Sequence, residues 1–308
     1  MIRIAALLSA LASLFLARMA IAGVESRFYS FASVAVEKKV PLDVFEFESS
    51  YVFKSDIDNT DNSDSGRGFG EQDVFQVKLE YAHRFQLNGS WYLRAGAAYE
   101  RFEFGETRGA IPGHLQSYTG VLGIEYMHGS DTGAFLYVRP GFYTEENFDT
   151  DALDAPVSLG RIWVIQEEKL YILVGLNASF LRRFPVLPFG GVIWIPSENL
   201  RVMALPPDPR VVYSVTDNLE VWVGGQIVAG VFRGDEDRDI RPGKLSDAVV
   251  DYTDYRVGVG IDYDISDNFS ALIGGGYSIQ RSFDFYRAGE EYETDPAPYA
   301  RIELKAKF

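Results

Sequence analysis

The sequence predicts an all-β chain closed into an antiparallel up-and-down transmembrane β-barrel. Three observations carry this. The last nine residues, Ala300 to Phe308, alternate apolar and charged without a break, the period-two pattern of a strand with two unlike faces. Similar segments recur from about Leu42 onward, joined by connections that alternate between short and long. The chain also opens with the pattern of an export signal.

Met1-Ile2-Arg3 is a short basic start, Ile4 to Ala17 is apolar, and Ala20-Ile21-Ala22 fits a small-x-small cleavage site before Gly23. Residues 1–22 therefore read as a signal peptide. The apolar run is short for spanning, and Arg18 closes it. Residues 23–41 precede the first strand and form either a periplasmic tail or a plug folded into the barrel. The barrel itself is expected over residues 42–308.

Composition agrees with this class. Of 308 residues, 47% are hydrophobic and 14% aromatic, with 18 Tyr, 22 Phe and 29 Gly. Mean hydropathy is near zero, too polar for a helical membrane protein, whereas barrel strands are apolar on one face only. The absence of Cys excludes a disulfide framework and thiolate chemistry. Net charge is −15. Removal of a signal containing Arg3 and Arg18 leaves 27 basic against 44 acidic residues, a net of −17. Nucleic acid is thereby a poor partner.

The strands follow in order. Phe45, Phe47, Tyr51 and Phe53 alternate with Glu46, Glu48 and Ser50; Phe75, Val77, Leu79 and Tyr81 with Gln76, Lys78 and Glu80. Tyr255, Val257, Val259, Ile261 and Tyr263 alternate with Arg256, Gly258, Gly260, Asp262 and Asp264. Short turns are expected at Asn88-Gly89, Gly129-Ser130-Asp131, Glu167-Glu168, Pro196 to Asn199, Thr216 to Asn218 and Ser266 to Asn268, built from residues that tolerate hairpin geometry. Long connections are expected at Ser55–Gln72, Gly105–Leu115, Glu145–Pro156, Arg233–Val250 and Tyr286–Pro298. Short periplasmic turns opposite long extracellular loops is the barrel rule. The count is about fourteen strands. It falls to twelve if the short pair Leu200–Leu205 and Arg210–Val215, joined by Pro206-Pro207-Asp208-Pro209, does not span.

Aromatic spacing supplies a ruler. Trp91 and Tyr99, Tyr118 and Tyr126, and Tyr255 and Tyr263 are each eight residues apart on one face. Eight residues rise about 26 Å, or roughly 20 Å at a tilt of about 40°, close to an apolar band of about 25 Å. The pairs read as two interfacial girdles.

The positions alternating with these apolar residues are expected to line the lumen. They are Glu46, Glu48, Lys78, Glu80, Arg94, Glu100, Arg139, Glu220, Arg256, Asp262, Arg301, Glu303 and Lys305, with Arg84, Glu125 and Lys307 of the same kind. An open lumen with such a wall passes small polar solutes, and charge sets its selectivity. A narrow lumen filled by paired charges is instead a structural plug. Strand number alone leaves both open.

Candidates for other chemistry are few. Asp56, Asp58, Asp61 and Asp64 lie close together in the first long connection and suit a weak divalent-cation site. Alignment with a calcium loop, however, puts Gln72 where a bidentate Glu belongs, so no metal is assigned. No cofactor is implied. His114, one of three histidines, is the candidate base for a rim-located hydrolase. Arg233-Gly234-Asp235 is treated as a chance string.

Ile302, Leu304, Ala306 and Phe308 resemble the terminal signal of bacterial outer-membrane barrels, which has an aromatic last residue and apolar residues at alternate positions upstream. That resemblance implies the outer membrane, its lipid and lipopolysaccharide, and recognition by the barrel assembly machinery. Pro188-Phe189-Gly190-Gly191-Val192-Ile193-Trp194-Ile195-Pro196-Ser197, with Pro207, Pro209 and Tyr213, resembles an uncharacterised outer-membrane barrel family of unknown function. The resemblance implies fold and location and assigns no catalytic residues. The leading expectation is a passive porin-like channel for small polar solutes and not an enzyme. The alternatives are a plugged structural or surface-binding barrel acting through acidic extracellular loops, and the rim hydrolase.

Overall fold

A computed structural model describes residues 40–60, 69–107, 111–128, 131–236 and 242–308. The expected signal peptide, nearly all of the 23–41 segment, and Asp61 and Asp64 lie outside the described residues.

The described residues form fourteen antiparallel strands closed into one barrel. The first four are β1 (Asp43–Asn59), β2 (Glu71–Asn88), β3 (Trp91–Phe104) and β4 (His114–His128). β5 (Asp131–Val138 and Gly141–Thr144) and β6 (Leu153–Asp154 and Val157–Gln166) are each interrupted once. Then come β7 (Leu170–Ala178), β8 (Val186–Ser197), β9 (Leu200–Ala204), β10 (Arg210–Thr216) and β11 (Leu219–Arg233). β12 (Val249–Ser266), β13 (Phe269–Phe285) and β14 (Glu290–Thr294 and Ala297–Lys307) complete the wall. The three interruptions fall at Pro140, Pro156 and Pro296. Proline has no N–H to give the ladder, so each strand breaks and resumes. The β9–β10 hairpin belongs to the wall, which settles the count at fourteen. β14 closes on β1 from Val44↔Lys307 to Val52↔Tyr299, and again at Ile57↔Thr294.

Alternation sorts the two faces. Along β2, Phe75, Leu79, Tyr81 and Phe85 are exposed, whereas Gln76, Lys78, Glu80 and Arg84 are buried. A soluble protein does the reverse. The same inversion runs round the wall, where exposed residues include Leu136, Val174, Trp194, Val221, Ile261 and Ile302. This outer belt is a transmembrane surface. Its girdles are in register: Trp91 pairs with Tyr126 and Tyr99 with Tyr118 on neighbouring strands, with ring centroids 5.2 and 4.7 Å apart. Tyr255 departs from the expectation. It is buried beside a register shift between Tyr255 and Arg256, while Tyr263 is exposed.

Several expected loops are shorter than the sequence indicates. β1 and β2 continue to Asn59 and from Glu71, so Asp56 and Asp58 are strand residues, paired with Glu71 and Glu293. His114 opens β4 rather than lying in a loop. The connection expected over Tyr286–Pro298 narrows to residues 286–289, because β14 resumes at Glu290. Beyond the apolar band the outer face meets water instead of lipid and carries Asp56, Asp58 and Glu293, so apolar alternation fades while the ladder continues and Ile57 and Tyr292 stay buried inside. At the other end the Asn88-Gly89 turn is tight, with Gly89 at φ 53°, a left-handed value suited to glycine.

The interior is packed. Toward the long-loop end Phe102, Phe104, Tyr252, Phe283, Phe285 and Tyr292 form an aromatic core. Toward the short-turn end Leu173, Phe189, Ile193, Met203, Trp222 and Leu272 form a second. Charged side chains fill the space between and around them.

Candidate functional site

The interior charges stand on alternate positions of long strands, whose outer neighbours are held by the apolar belt. On β2 to β5, Arg94 donates to Glu80 at 2.9 Å and to Glu125 at 3.5 Å. Arg84 donates to Glu125 at 2.5 Å, and Arg139 pairs with Glu80. All five are buried. Tyr137 donates its hydroxyl to Glu125 at 2.5 Å. Next to this group, Gln76 donates to half-buried Glu100 at 2.8 Å, and Lys78 is buried.

A second network crosses from β12 to β1. Arg256 donates to Asp254 at 2.7 Å and to Ser50 at 3.0 Å, and its guanidinium lies 5.2 Å from the Tyr299 ring. Gln226 bridges from Arg256 (3.4 Å) to Glu48 (2.9 Å). Near the short turns Lys305 pairs with Glu303 and stands across the ladder from Glu46. Arg201 donates to Glu220 at 2.6 Å, and Glu220 faces half-buried Asp262 across the next ladder.

The third group is an inturned turn. β9 and β10 have five and seven residues; in the 205–209 turn between them Leu205 and Asp208 face inward, while the Pro207 and Pro209 carbonyls accept from Ile227 and Gly225 of β11. Leu205 and Asp208 are 2% and 5% exposed. Asp208 accepts from Arg210 Nε at 2.7 Å and from Arg301 of β14 at 3.2 Å. Arg301 also lies 3.9 Å from Glu48. The Trp222 ring lies beside both cations, 4.6 Å from Arg210 and 5.2 Å from Arg301. Trp222 in turn rests on glycines. A Cβ on Gly260 would lie 2.3 Å from its Cζ2, and one on Gly274 would lie 2.7 Å away.

Every candidate lumen position is therefore buried or half-buried, but the residues gather into separate paired clusters. Sequence reasoning missed Asp208, Arg210, Trp222 and Asp254. Two signals were available. Trp222 shares the parity of Glu220, and Asp208 is the one acid within a run of three prolines.

The other candidates are dispersed. Asp56 and Asp58 are exposed, and among the described residues no three His, Asp or Glu are placed to hold a metal. His114 stands across the ladder from Glu103. His83 lies 2.8 Å from Asp43. On the closing strand Ile302, Leu304 and Phe308 are exposed outward, whereas Ala306 is 7% exposed. It lies between Phe45 and Phe269 on the flanking strands, whose larger side chains cover it.

A closed antiparallel barrel with an apolar outer belt and buried charges inside is a bacterial outer-membrane β-barrel. No family model matches the chain, and no curated protein does. Among solved structures it is similar to the COG4313 outer membrane channel from Pseudomonas putida F1, at 10% identity and a TM-score of 0.47, covering 88% of this chain and 97% of that one. The Pseudomonas putida toluene transporter TodX gives 12% identity and a TM-score of 0.38, covering 94% and 95%. The translocator domain of autotransporter NalP from Neisseria meningitidis gives 11% and 0.38, covering 97% of both. At these scores the likeness carries no functional detail.

Proposed function

We propose that this barrel is a passive channel for small polar solutes, held closed in the state described by the inturned 205–209 turn. The observation that supports the reading is the Asp208–Arg301 contact. It ties the inward side of the turn to β14, four strands along the wall from β10, among charged residues that would line the passage when the turn moves. A barrel built only for rigidity gains little from such residues, because buried ion pairs are often no more stable than apolar packing.

Planar-bilayer recording tests this. Wild-type protein is expected to give rare conductance steps, and Asp208→Asn to give frequent ones, because the turn loses its charged anchor. Folded protein that shows no steps in either form at high salt rejects the channel and favours the plugged barrel, which the filled interior also fits. The reading contains no catalytic step. His114→Ala is expected to leave conductance unchanged.

A further inference from the structure

Beside the aromatic core toward the long-loop end stands a cation without an acid of its own. Arg281 of β13 is fully buried. It donates to Thr294 Oγ1 of β14 at 3.1 Å, to Ser55 Oγ of β1 at 2.8 Å and to Gln72 O of β2 at 2.9 Å. All three acceptors are neutral. Two irregularities in the wall adjoin the guanidinium: the β14 break at Pro296, just past Thr294, and the register shift of β1 between Val52 and Ser55.

The acids nearby are engaged elsewhere. Asp254 stands across the ladder from Arg281, but it accepts from Arg256 at 2.7 Å and from Ser278 at 2.6 Å. One buried acid therefore serves two buried guanidiniums. Asp73 follows Gln72 in the chain, but alternation turns it outward, where it accepts from Tyr51 at 2.5 Å. Glu48 accepts from Gln226 and lies 3.9 Å from Arg301. Among the described residues no carboxylate comes within ion-pair distance of Arg281.

Unmet hydrogen-bonding groups occur in the same neighbourhood. Arg281 Nη1 has no partner. Gln72, whose carbonyl holds Arg281, is fully buried, and neither atom of its side-chain amide is bonded. The Tyr252 hydroxyl, two residues from Asp254 on the inner face, is also buried and unbonded. Buried polar groups are nearly always paired, so each such group calls for a water or an ion. Water would meet the hydrogen bonds but leave the charge. Arginine cannot shed its proton to escape, and an ion without a counter-charge in an apolar interior is very costly. The core that holds Tyr252 also contains Val52, Ile57, Phe283, Phe285 and Tyr292, all at most 1% exposed. Such packing suits a one-atom anion rather than a molecular solute.

We propose that Arg281, Gln72 and Tyr252 form a buried halide site, occupied by chloride in the folded barrel. Arg281 supplies the charge through Nη1, and the Gln72 amide and Tyr252 hydroxyl donate the remaining bonds. The site is independent of whether the lumen conducts.

Urea unfolding of the full chain in lipid vesicles tests this, in chloride and in gluconate, a far larger anion, at equal ionic strength. The wild type is expected to unfold at a higher urea midpoint in chloride, because a ligand bound only by the folded state adds stability. Arg281→Met should lose that gain. Gln72→Leu, which keeps the charge, should raise the chloride concentration for half the gain about tenfold, and it carries the test if Arg281→Met does not fold. Wild-type crystals grown in bromide should show an anomalous peak beside Arg281 Nη1. A chloride gain as large in Arg281→Met as in the wild type, an unchanged half-gain concentration in Gln72→Leu, or bromide crystals without that peak would each overturn the site.

Discussion

At the residue scale, the interior charges are costly unless each keeps its partners. Arg256 and Asp254 are both fully buried in their side chains, and Asp254 also accepts from Ser278 at 2.6 Å. Asp254→Ala leaves a guanidinium in a low-dielectric interior, and the expected loss is about 3–5 kcal/mol. Urea unfolding of the barrel in lipid vesicles measures it; a loss below about 1 kcal/mol, the exposed-pair value, would mean that water reaches Arg256. A milder case lies outside the membrane. Glu290, roughly 40 Å above the short-turn end by strand rise and tilt, accepts from Lys244 at 2.7 Å and Asn59 at 2.6 Å. The Lys244 contact, then Asn59, hold its carboxyl below the usual range. A depressed folded pKa contributes stability above the unfolded value of about 4.3, lost as pH falls through the folded one. The 242–248 loop should thus stay ordered at pH 5 and loosen in stronger acid. Lys244→Ala should move that loosening upward in pH, which hydrogen exchange of the loop amides would follow.

At the element scale, packing inside the short-turn half depends on glycine. Gly260 and Gly274 are neighbours across the β12–β13 ladder, and together they leave the flat space that Trp222 occupies. Gly260→Ala puts a methyl where the indole lies and should cost about 1–3 kcal/mol through overpacking. It should also free the 205–209 turn, because Arg210 stacks on the displaced ring. Trp222→Leu in the same chain should recover part of the stability but not the closed turn. Conductance steps as rare in both variants as in the wild type would separate Trp222 from gating. The strands that carry this arrangement were legible from alternation, because lipid outside and charge inside repeat every second residue. The girdle spacing was legible for Trp91 with Tyr99 and Tyr118 with Tyr126, because strand rise and membrane thickness had to agree, but not for Tyr255, which a register shift buries. Strand ends such as Asp56–Asn59 and Glu290–Thr294 were not. Above the membrane the outer face is polar, so the lipid-facing half of the pattern stops there although Ile57 and Tyr292 still turn inward. The inturned turn was hidden for another reason: what holds Asp208 is Arg301, distant in sequence and brought close only by closure of the barrel.

For the whole molecule, the distribution of charge sets what would pass most readily. The chain carries 44 acidic against 29 basic residues, while many inner basic residues, including Arg84, Arg94, Arg256 and Arg301, are occupied by carboxylates or amides. The surplus acid is therefore free to act on ions at the mouths, as at exposed Asp56, Asp58 and Glu71 near the long-loop end. Fixed negative charge concentrates cations within a screening length, about 10 Å at 0.1 M salt and about 3 Å at 1 M. If the mouths rather than the paired interior govern selection, reversal potentials should favour cations at 0.1 M and approach neutrality at 1 M. The triple variant Asp56→Asn, Asp58→Asn, Glu71→Gln should weaken the low-salt preference without changing unitary conductance at 1 M. A preference that survives at 1 M would instead place the selecting charge inside the barrel, where screening is weak. It would then point to the cluster around Asp208 and Arg301 as the narrowest part of the path.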